Sequence, residues 1–377
     1  METFFGENIP KLGFGLMRLP MLGGEIDLEQ TKRMADLFLE AGFRYFDTAY
    51  GYNDGKSEEC VKPVLVDRYP RERFLLATKL PAWAGAKTKE DAERMFYTSL
   101  ERTGAGYFDF YLLHNMGAGR TEVFERWDLW RFLEDRKREG LIRHIGFSFH
   151  DGADALDKLL TEHPEAEFVQ LQINYADWES PSVQSRLCYE TARRHGKPVI
   201  VMEPVKGGTL ATLPPQAEAP LRSVRPGLST ASWGIRFAAS LEGVVTVLSG
   251  MSDFAQMEDN LRCMKDFQPL TGAERDALKA AVAALDAIPT VPCTGCDYCA
   301  KGCPQNIGIS NTFKALNLWK VYNNMPAALR SYRMPQKFHG KAPASACIRC
   351  GTCEGVCPQE IHIMDELKGA SALFDTQ

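Results

Sequence analysis

The chain has 377 residues, of which 45% are hydrophobic and 25% are charged, and its formal net charge is −5. This composition is that of a globular protein with room for one large domain and a smaller one, and it gives no sign of a nucleic-acid partner. No run approaches the ~20 apolar residues that a membrane helix needs, and the first thirty residues lack the pattern of a signal peptide, so we expect neither a membrane anchor nor secretion.

Eight short segments rich in Val, Ile, Leu, Phe and Tyr follow one another along the first 250 residues. Several show little polar alternation, as expected for parallel strands that are covered on both faces. They lie at residues 13–19, 45–49, 74–80, 107–114, 142–149, 168–175, 198–204 and 243–250.

Between most of these segments the apolar residues recur with the period of a helix. Three such helices are predicted at 28–42, 89–104 and 121–140, and each ends at a glycine, a common helix stop. Eight strands that alternate with helices predict an α/β fold, a (β/α)8 TIM barrel. The main alternative is an open doubly wound sheet, which usually has a glycine-rich loop and a helix directly after its first strand. The stretch "GFGLMRLP" at 13–20 has the glycines without the helix.

The barrel pattern fades after residue 250. Two more helices are expected before "AIPTVP" at 287–292, which is typical of a linker. We therefore assign residues 1–287 to the barrel and residues 288–377 to a second domain. In the second domain "NTFKALNLWKVYNN" at 311–324 predicts a helix, and the Pro- and Lys-marked stretch after it predicts a loop.

Eight of the eleven cysteines form two runs, "CTGCDYCAKGCP" at 293–304 and "CIRCGTCEGVCP" at 347–358. Each run has the spacing C-x2-C-x2-C-x3-C-P of two-cluster bacterial ferredoxins, in which the last cysteine of a run ligates the other cluster. The spacing therefore predicts two [4Fe–4S] clusters. The two predicted ligand sets are Cys293, Cys296 and Cys299 with Cys357, and Cys347, Cys350 and Cys353 with Cys303.

Two alternatives to this assignment stay open. About forty residues of partly helical sequence separate the runs, more than in a compact ferredoxin. A small, mostly helical ferredoxin-type domain therefore fits better, and the exchange of the fourth cysteine is uncertain. Zinc is the other metal to consider, although zinc sites usually combine two well-separated cysteine pairs. In a chain of this length, so many thiols indicate metal binding in a reducing cytoplasm and not a secreted disulfide scaffold.

Four polar residues lie at or just past the ends of the second, third and fourth predicted strands, namely Asp47, Tyr52, Lys79 and His114. In a (β/α)8 barrel the active site forms where the strands end. An ammonium beside a phenol lowers the phenol's pKa, so Lys79, held by Asp47, would make Tyr52 a better proton donor. His114 would donate a hydrogen bond to a substrate carbonyl. Each residue alone is commonly structural, but together they predict a proton-donating site for carbonyl reduction.

These motifs are similar to those of the aldo/keto reductases. The stretches "DTAYGYNDGKSE" (47–58), "ATK" (77–79) and "LLH" (112–114) resemble the family's catalytic segments and place the four polar residues on its catalytic tetrad. The resemblance covers about residues 1–287. With the two cysteine runs, the chain resembles the subgroup that carries a C-terminal two-cluster [4Fe–4S] ferredoxin-type domain. The resemblance implies an oxidoreductase that reduces an aldehyde or ketone, or oxidises the alcohol, with NADP or NAD.

The resemblance also implies a nicotinamide site across the top of the barrel. Met202 occupies the position where the family usually stacks an aromatic ring on the nicotinamide. The loop after the eighth strand is where such barrels commonly hold a phosphate at a helix N-terminus. The residues on these cofactor-binding positions are Ser148, Gln170, Asn174, Met202, Gly250, Ser252, Gln256, Asp259 and Asn260.

Two details of this loop keep the cofactor preference open. The stretch "DFAQ" at 253–256 also fits a helix cap, so its polar side chains have a structural explanation as well. Residues 249–261 contain no Arg or Lys for a 2′-phosphate, and a basic residue from elsewhere, such as Lys206, would have to reach the site. The sequence therefore does not decide between NADPH and NADH.

The two halves pose a redox question, because a nicotinamide moves two electrons as hydride whereas a [4Fe–4S] cluster moves one. In one function, the barrel reduces a small carbonyl substrate and the clusters pass electrons to or from a redox protein partner. In a second, the clusters stabilise the second domain. The non-enzymatic alternative is an iron–sulfur electron-transfer or assembly module on an aldo/keto reductase-like barrel. In "HNMGAGR" at 114–120, Arg120 is either an anchor for a substrate carboxylate or phosphate or a surface arginine.

Overall fold

The computed structural model describes residues 3–117 and 119–376. Eight parallel strands close into a barrel in which each strand pairs with the next along the chain and the last pairs with the first. The strands are β1 (Leu12–Gly15), β2 (Tyr45–Asp47), β3 (Leu75–Leu80), β4 (Phe108–Met116), β5 (Ile142–Phe149), β6 (Phe168–Gln172), β7 (Val199–Met202) and β8 (Val244–Ser249). The predicted (β/α)8 barrel is confirmed, and every predicted strand segment overlaps one of these strands.

Helices follow the strands along the chain. They are α1 (Leu28–Glu40), α2 (Lys56–Val61), α3 (Lys89–Thr103), α4 (Thr121–Arg126), α5 (Leu129–Arg138), α6 (Ala153–Glu162), α7 (Ser185–Arg194), α8 (Pro215–Val224), α9 (Thr230–Ala239), α10 (Phe254–Met264) and α11 (Gly272–Asp286). Short 3-10 turns occupy Leu16–Arg18, Tyr52–Gly55, Arg71–Arg73 and Lys206–Ala211, and a π turn occupies Lys62–Val66. A small antiparallel hairpin pairs Met21–Leu22 with Glu25–Ile26.

The single helix predicted at 121–140 is wrong in one respect, because it is two helices, α4 and α5. The chain turns between them at Trp127 and Asp128, where Asp128 adopts a left-handed conformation with φ of 53°. Aspartate tolerates that conformation better than most residues, and the apolar periodicity on either side conceals the break.

Two layers of buried side chains hold the barrel together. The larger lies between the strands and the surrounding helices and includes Phe14, Phe38 and Phe46. The smaller fills the inside of the barrel and includes Tyr45, Phe110 and Phe168. Because side chains alternate along a strand, neighbouring residues such as Tyr45 and Phe46 supply different layers. The barrel interior is therefore packed, and the space for chemistry lies at the rim.

The chain divides into two compact units. The first comprises Met1–Gly207 with Ala231–Thr271, and the second comprises Gly208–Thr230 with Gly272–Gln377. Within the second unit α8 packs against α11, and Arg225 forms an ion pair with Glu274 at 3.0 Å. The polypeptide thus leaves the first unit after β7, returns, and leaves it again after α10.

The C-terminal part of the second unit is mostly helical. Its helices are α12 (Tyr298–Lys301), α13 (Ile309–Tyr322), α14 (Met325–His339) and α15 (Ile363–Phe374), with 3-10 turns at Ala344–Ala346 and Glu354–Val356. Phe313, Tyr332 and Phe374 lie in its hydrophobic core together with Cys299 and Cys353. The prediction of a helical ferredoxin-type domain is confirmed.

The loop predicted after α13 is wrong, because most of that stretch forms α14. Pro326 lies in the first turn, where its missing N–H costs nothing, and Asn324 caps the helix by accepting a hydrogen bond from the Ala327 N–H at 3.1 Å. Pro335 lies inside the last turns and is buried. Among the residues described, no helix combines the length and the apolar character needed to cross a bilayer.

Candidate functional site

The four polar residues singled out from the sequence come together at the carboxyl-terminal rim of the barrel. Asp47 is the last residue of β2, and Lys79 and His114 lie near the ends of β3 and β4. Tyr52 begins the 3-10 turn that follows β2. Because all strands are parallel, these ends share one edge of the barrel.

Lys79 and Asp47 form a buried ion pair. The Lys79 Nζ lies 2.5 Å from an Asp47 carboxylate oxygen and also donates a hydrogen bond to the Thr48 carbonyl at 2.7 Å, while the two side chains are only 1% and 5% exposed. Gln170 donates a hydrogen bond to the second Asp47 oxygen at 3.2 Å. Burial alone would lower the pKa of Lys79, but the charges of Asp47 and Tyr52 raise it above its usual value, so the ammonium stays protonated.

The Lys79 ammonium lies against Tyr52, 4.9 Å from the centre of its ring. Desolvation raises the pKa of the Tyr52 phenol, and the positive charge of Lys79 and its hydrogen bond to the phenol lower it. The net shift is upward. The lowering effect expected from Lys79 is therefore present, but the expectation of a phenol more acidic than usual is wrong for this structure, because burial outweighs the ammonium.

The turn that carries Tyr52 has an unusual backbone. Asn53, Asp54 and Gly55 all have positive φ, with values of 50°, 56° and 91°. At Gly55 a Cβ would lie 2.8 Å from the guanidinium of Arg102. Glycine is needed here both for the conformation and for the close approach of the arginine.

Arg102 connects this turn to the buried polar groups beneath it. Its Nη1 donates hydrogen bonds to the Tyr50 carbonyl at 3.0 Å and to Glu58 at 3.2 Å. Glu58 is fully buried and accepts a further hydrogen bond from the Thr78 hydroxyl at 2.7 Å, one residue before Lys79. Sequence reasoning missed Arg102 and Glu58, since nothing in the spacing 58…102 indicates that they meet.

His114 completes the group at the rim. Its ring centre lies 5.9 Å from that of Tyr52 and 6.3 Å from that of Trp83, whose indole N–H donates a hydrogen bond to the His114 carbonyl at 2.7 Å. Burial, followed by the charges of Lys79, His150 and Arg120, lowers the pKa of His114 well below its usual value. The imidazole is therefore neutral at physiological pH, and its buried Nδ1 has no hydrogen-bond partner among the described residues. A neutral imidazole can donate one N–H to a substrate oxygen.

Two of the predicted nicotinamide ligands lie beside this group with unused hydrogen-bonding capacity. The Ser148 hydroxyl oxygen accepts a hydrogen bond from the Asn115 N–H at 2.7 Å, which leaves its own O–H free to donate. The Gln170 Oε1 is buried and has no hydrogen-bond partner in the part of the chain that the structure describes. Met202 ends β7 and is half-buried. A carboxamide could accept a hydrogen bond from the Ser148 O–H through its oxygen and donate one to the Gln170 Oε1 through its NH2 group.

Asn174 and Lys206, which follow β6 and β7, already bind neighbouring residues of the protein. Asn174 is bound through its amide to Asp177 at 2.9 Å and to the Glu203 carbonyl at 3.4 Å. Lys206, considered above as a basic residue for the cofactor, forms an ion pair with Asp177. These contacts hold the loops after β6 and β7 together.

The loop after β8 leads into the N-terminus of α10. Asp253 caps this helix by accepting a hydrogen bond from the Gln256 N–H at 2.8 Å. The Gln256 side-chain oxygen in turn accepts a hydrogen bond from the Ser252 N–H at 3.0 Å. Asn260 donates a hydrogen bond to the Ser249 hydroxyl at 2.8 Å, and Asp259 forms an ion pair with Arg262. The capping explanation of "DFAQ" is therefore seen in the structure.

Arg18 places a positive charge beside the loop after β8, which itself contains no Arg or Lys. A Cβ added at Gly207 or at Gly250 would lie 3.2 Å from the Arg18 side chain, and the Ser252 hydroxyl donates a hydrogen bond to the Arg18 carbonyl at 2.8 Å. Arg18 thus lies between the loops after β7 and β8. Sequence reasoning missed it, although its place just after β1 is the same signal that identified the other rim residues.

The eight cysteines of the second unit line two separate cavities. Cys293, Cys296, Cys299 and Cys357 line the first, together with Phe313 and Ile363. Cys303, Cys347, Cys350 and Cys353 line the second, together with Ile307 and Leu367. Each cavity takes three thiols from one run and one from the other, which is the division predicted from the spacing.

Four thiols around one apolar cavity are the donor set of a cubane iron–sulfur cluster. Among the described residues, no group of three His, Cys, Asp or Glu side chains is close enough to hold a single metal ion. Cys296 and Cys350 are exposed, whereas Cys299 and Cys353 are buried. Each cavity therefore reaches from the hydrophobic core of the unit to its surface.

Comparison with known proteins identifies two family models in the chain. Residues 11–283 match the aldo/keto reductase family, and residues 292–362 match a 4Fe–4S dicluster domain. Among curated relatives, an aldo-keto reductase of Mycobacterium sp. (strain MCS) is 35% identical over 142 residues, which are 37% of this chain and 45% of that protein. The chain thus covers less than half the length of this relative.

Other relatives match over a longer stretch. An uncharacterized oxidoreductase of Bacillus subtilis, YqkF, is 24% identical over 72% of this chain and 92% of its own. Among solved structures, aldo-keto reductase AKR11C1 from Bacillus halodurans, in its holo form, has a TM-score of 0.56 and 26% identity over 72% of this chain and 92% of its own. An aldo-keto reductase from Klebsiella pneumoniae in complex with NADPH has the same TM-score at 21% identity, over 72% and 90% of the two chains, a likeness of fold.

Proposed function

This chain belongs to the aldo/keto reductase family and carries a 4Fe–4S dicluster domain, and from that membership we propose that it reduces an aldehyde or ketone with NADPH or NADH, or oxidises the alcohol. The observation that carries the proposal is the buried Lys79–Asp47 ion pair beneath Tyr52 at the barrel rim. Burying two charges is costly, and such pairs next to a weak acid are typical of sites where a proton moves.

In this proposal Tyr52 is the proton donor for carbonyl reduction. Its raised pKa keeps the phenol protonated at neutral pH, and the alkoxide that forms when a carbonyl accepts hydride is a far stronger base than a phenolate. Lys79 stabilises the phenolate left behind, because its ammonium already lies against the ring. Asp47 holds Lys79 in place, and neutral His114 donates a hydrogen bond to the carbonyl oxygen.

A bound nicotinamide would supply the two electrons as hydride. We propose that Ser148 and Gln170 hold its carboxamide through the unused O–H and Oε1 groups, and that Met202 covers one face of the ring. Gly250, Ser252 and Gln256 would face the nucleotide's phosphates, and Asp259 and Asn260 its adenine. Asn174 would act through the loops it joins, since its amide is already engaged.

Arg18 is the residue that we expect to affect the choice between NADPH and NADH. Its side chain lies beside Gly250 and Gly207, where a phosphate of the nucleotide would lie. The dissociation constants of both nucleotides should be measured for the wild type and Arg18→Met. A selective loss of NADPH affinity indicates contact with the 2′-phosphate, an equal loss indicates the pyrophosphate, and no loss contradicts the assignment.

Each [4Fe–4S] cluster would provide one-electron transfer. We propose that the clusters pass electrons to or from a redox protein partner, because Cys296 and Cys350 bring both cavities to the surface. The burial of Cys299 and Cys353 in the core favours a second role, in which cluster binding contributes folding energy. With Cys296→Ser, loss of electron transfer with retained carbonyl reduction supports the first role, whereas unfolding of the second unit supports the second.

The test of the barrel's function is the rate of carbonyl reduction after anaerobic purification, with both nicotinamides and a panel of aldehydes, ketones and quinones. Tyr52→Phe should lower the rate by about 10²- to 10⁴-fold while the cluster absorption stays unchanged. Tyr97→Phe, at an exposed tyrosine of α3, is the matched control and should leave the rate unchanged. An active Tyr52→Phe enzyme would contradict the role of Tyr52 as proton donor. A wild type that reduces no carbonyl compound would favour the non-catalytic electron-transfer module.

Metal analysis tests the second unit independently. About eight irons and eight sulfides per chain are expected from two cubane clusters, and stoichiometric zinc would exclude them. We also propose that the boundary between the two domains lies at 287/288, between the segments matched by the two family models. A reducing cytoplasm is the proposed location, because it would keep the cysteines available for cluster assembly.

A further inference from the structure

Arg120 carries a positive charge on the His114 side of the proposed active site. Arg120 is half-buried, and its Nε and Nη2 donate hydrogen bonds to the Asn115 carbonyl at 2.7 Å and to the Asn115 side-chain oxygen at 3.0 Å. Both acceptors are neutral. Within the described residues Arg120 forms no ion pair, so its charge is not neutralised by the protein.

The guanidinium is close to the residues that would hold the substrate carbonyl. Its central carbon lies 5.9 Å from the centre of the Trp83 ring, within the range of a cation–π contact. Trp83 in turn donates a hydrogen bond to the His114 carbonyl. The charge of Arg120 is also one of the causes that lower the pKa of both His114 and His150. Arg120 is therefore not a remote surface arginine.

The hydrogen bonds to Asn115 leave part of the guanidinium unused. An arginine has five N–H donors in a planar fork. Hydrogen bonds to the described residues engage two of them here, so three remain. Asp47 is paired with Lys79. Asp151 accepts a hydrogen bond from the Gly152 N–H, and a Cβ added at Gly117 would lie 2.6 Å from its side chain. An oriented guanidinium with free donors suits a group with two anionic oxygens.

We propose that Arg120 binds an anionic group of the substrate, a carboxylate or a phosphate, while the substrate carbonyl lies between Tyr52 and His114. The inference rests on the proposed function and names its substrate class, which is a small carbonyl compound with an anionic group, such as an oxo acid or a phosphorylated aldehyde. The anionic group is not consumed. The carbonyl carbon gains the hydride, its oxygen gains the proton of Tyr52, and the nicotinamide is oxidised.

The test compares charged and neutral substrates of the same shape. Oxo acids of three to six carbons, their methyl esters, and a phosphorylated aldehyde with its unphosphorylated form are assayed with the holoenzyme and the preferred nicotinamide. The variants are Arg120→Met, Arg120→Lys and, as the matched control, Arg126→Met at an exposed arginine of α4 paired with Glu122. Cluster absorption and circular dichroism are recorded for each variant.

We expect the wild type to have a lower KM for the anionic member of a pair. Arg120→Met should raise that KM by about 10- to 100-fold and change the KM of the neutral member and the kcat by only a few-fold, since a charge-assisted hydrogen bond is lost in ground and transition states alike. Arg120→Lys should fall between, and Arg126→Met should match the wild type. If the KM difference within the acid and ester pair is lost in Arg120→Met, the anionic group is a carboxylate. If the difference between the phosphorylated and unphosphorylated aldehyde is lost, the group is a phosphate.

The outcomes separate this inference from the proposed function. Equal changes in KM for charged and neutral substrates, or a wild type that reduces neutral carbonyls but no anionic one, overturn the role of Arg120 and leave the reductase proposal intact. A wild type that reduces no carbonyl compound at all overturns both. A variant that loses its fold is replaced by Arg120→Gln, judged by the same comparison.

Discussion

Replacing Lys79 by methionine would leave the Asp47 carboxylate buried without its ammonium. The two side chains are 1% and 5% exposed and 2.5 Å apart, so water cannot take over the role of the missing partner. Removing one partner from a buried pair typically costs about 3–5 kcal/mol, much of it from the charge left behind. We expect this loss in the free energy of unfolding of the barrel for Lys79→Met, and a similar loss for Asp47→Asn.

The double variant Lys79→Met/Asp47→Asn gives the decisive comparison, because it removes both charges. Its loss should be smaller than the sum of the single losses, with a coupling of about 3 kcal/mol. Lys158→Met, at an exposed pair with Glu162, is the matched control and should change stability by less than about 1 kcal/mol.

Urea unfolding under anaerobic conditions, followed by tryptophan fluorescence, measures these differences. Five of the six tryptophans lie in the first unit, at Trp83, Trp127, Trp130, Trp178 and Trp233. The signal therefore reports mainly on the barrel. Losses that simply add in the double variant would refute the reasoning, because they would mean that the two charges do not depend on each other.

Three further predictions follow from the site and the cysteine cavities. Gly55→Ala should destabilise the barrel by about 1–3 kcal/mol and slow carbonyl reduction, because its Cβ would meet the guanidinium of Arg102 at 2.8 Å and φ is 91°. Gly51→Ala in the same turn, with φ of −98° and no atom of the described residues within 4 Å of its Cβ, should be close to neutral, and equal effects in urea unfolding would contradict this. Cys303→Ser should abolish the electron paramagnetic resonance of the cluster held by the second cysteine run while the first cluster persists, and loss of the first cluster alone would disprove the exchanged ligand. Because the pKa of His114 is lowered well below 6.5, the imidazole keeps its neutral form as pH falls through that value, and kcat/KM for reduction should not drop between pH 8 and 6; a break near 6.5 in stopped-flow assays would show that its pKa is not lowered.

The rim residues could be predicted because position and chemistry agree at each of them. Asp47, Lys79 and His114 lie at the ends of strands whose apolar runs are easy to recognise, and a charged residue at such a place requires an explanation. The division of the cysteines could be predicted for a similar reason, since each run carries its own spacing and a final proline. Local patterns were sufficient in both cases.

What could not be predicted depends on contacts between distant parts of the chain. The Arg102–Glu58 contact beneath the Tyr52 turn joins residues 44 positions apart with no periodicity between them. The net direction of the Tyr52 pKa depends on how much water the fold removes, which no motif reports. In α14 the residue preference was misleading, because Pro335 suggests a loop although the helix contains it near its end.

The path of the chain between the two units has a consequence for how they communicate. The backbone passes from one unit to the other at 207/208, 230/231 and 271/272, and the first crossing comes directly after Glu203–Gly207, the segment beside Arg18 and Asn174. Any backbone displacement in this segment would be passed along the chain directly into α8, the first helix of the second unit. Removing residues 288–377 would leave α8 with its packing partner, because α11 ends at Asp286, before the first cysteine run. A truncation placed just after α11 would therefore separate the two cysteine runs from the rest of the chain without splitting the α8–α11 pair.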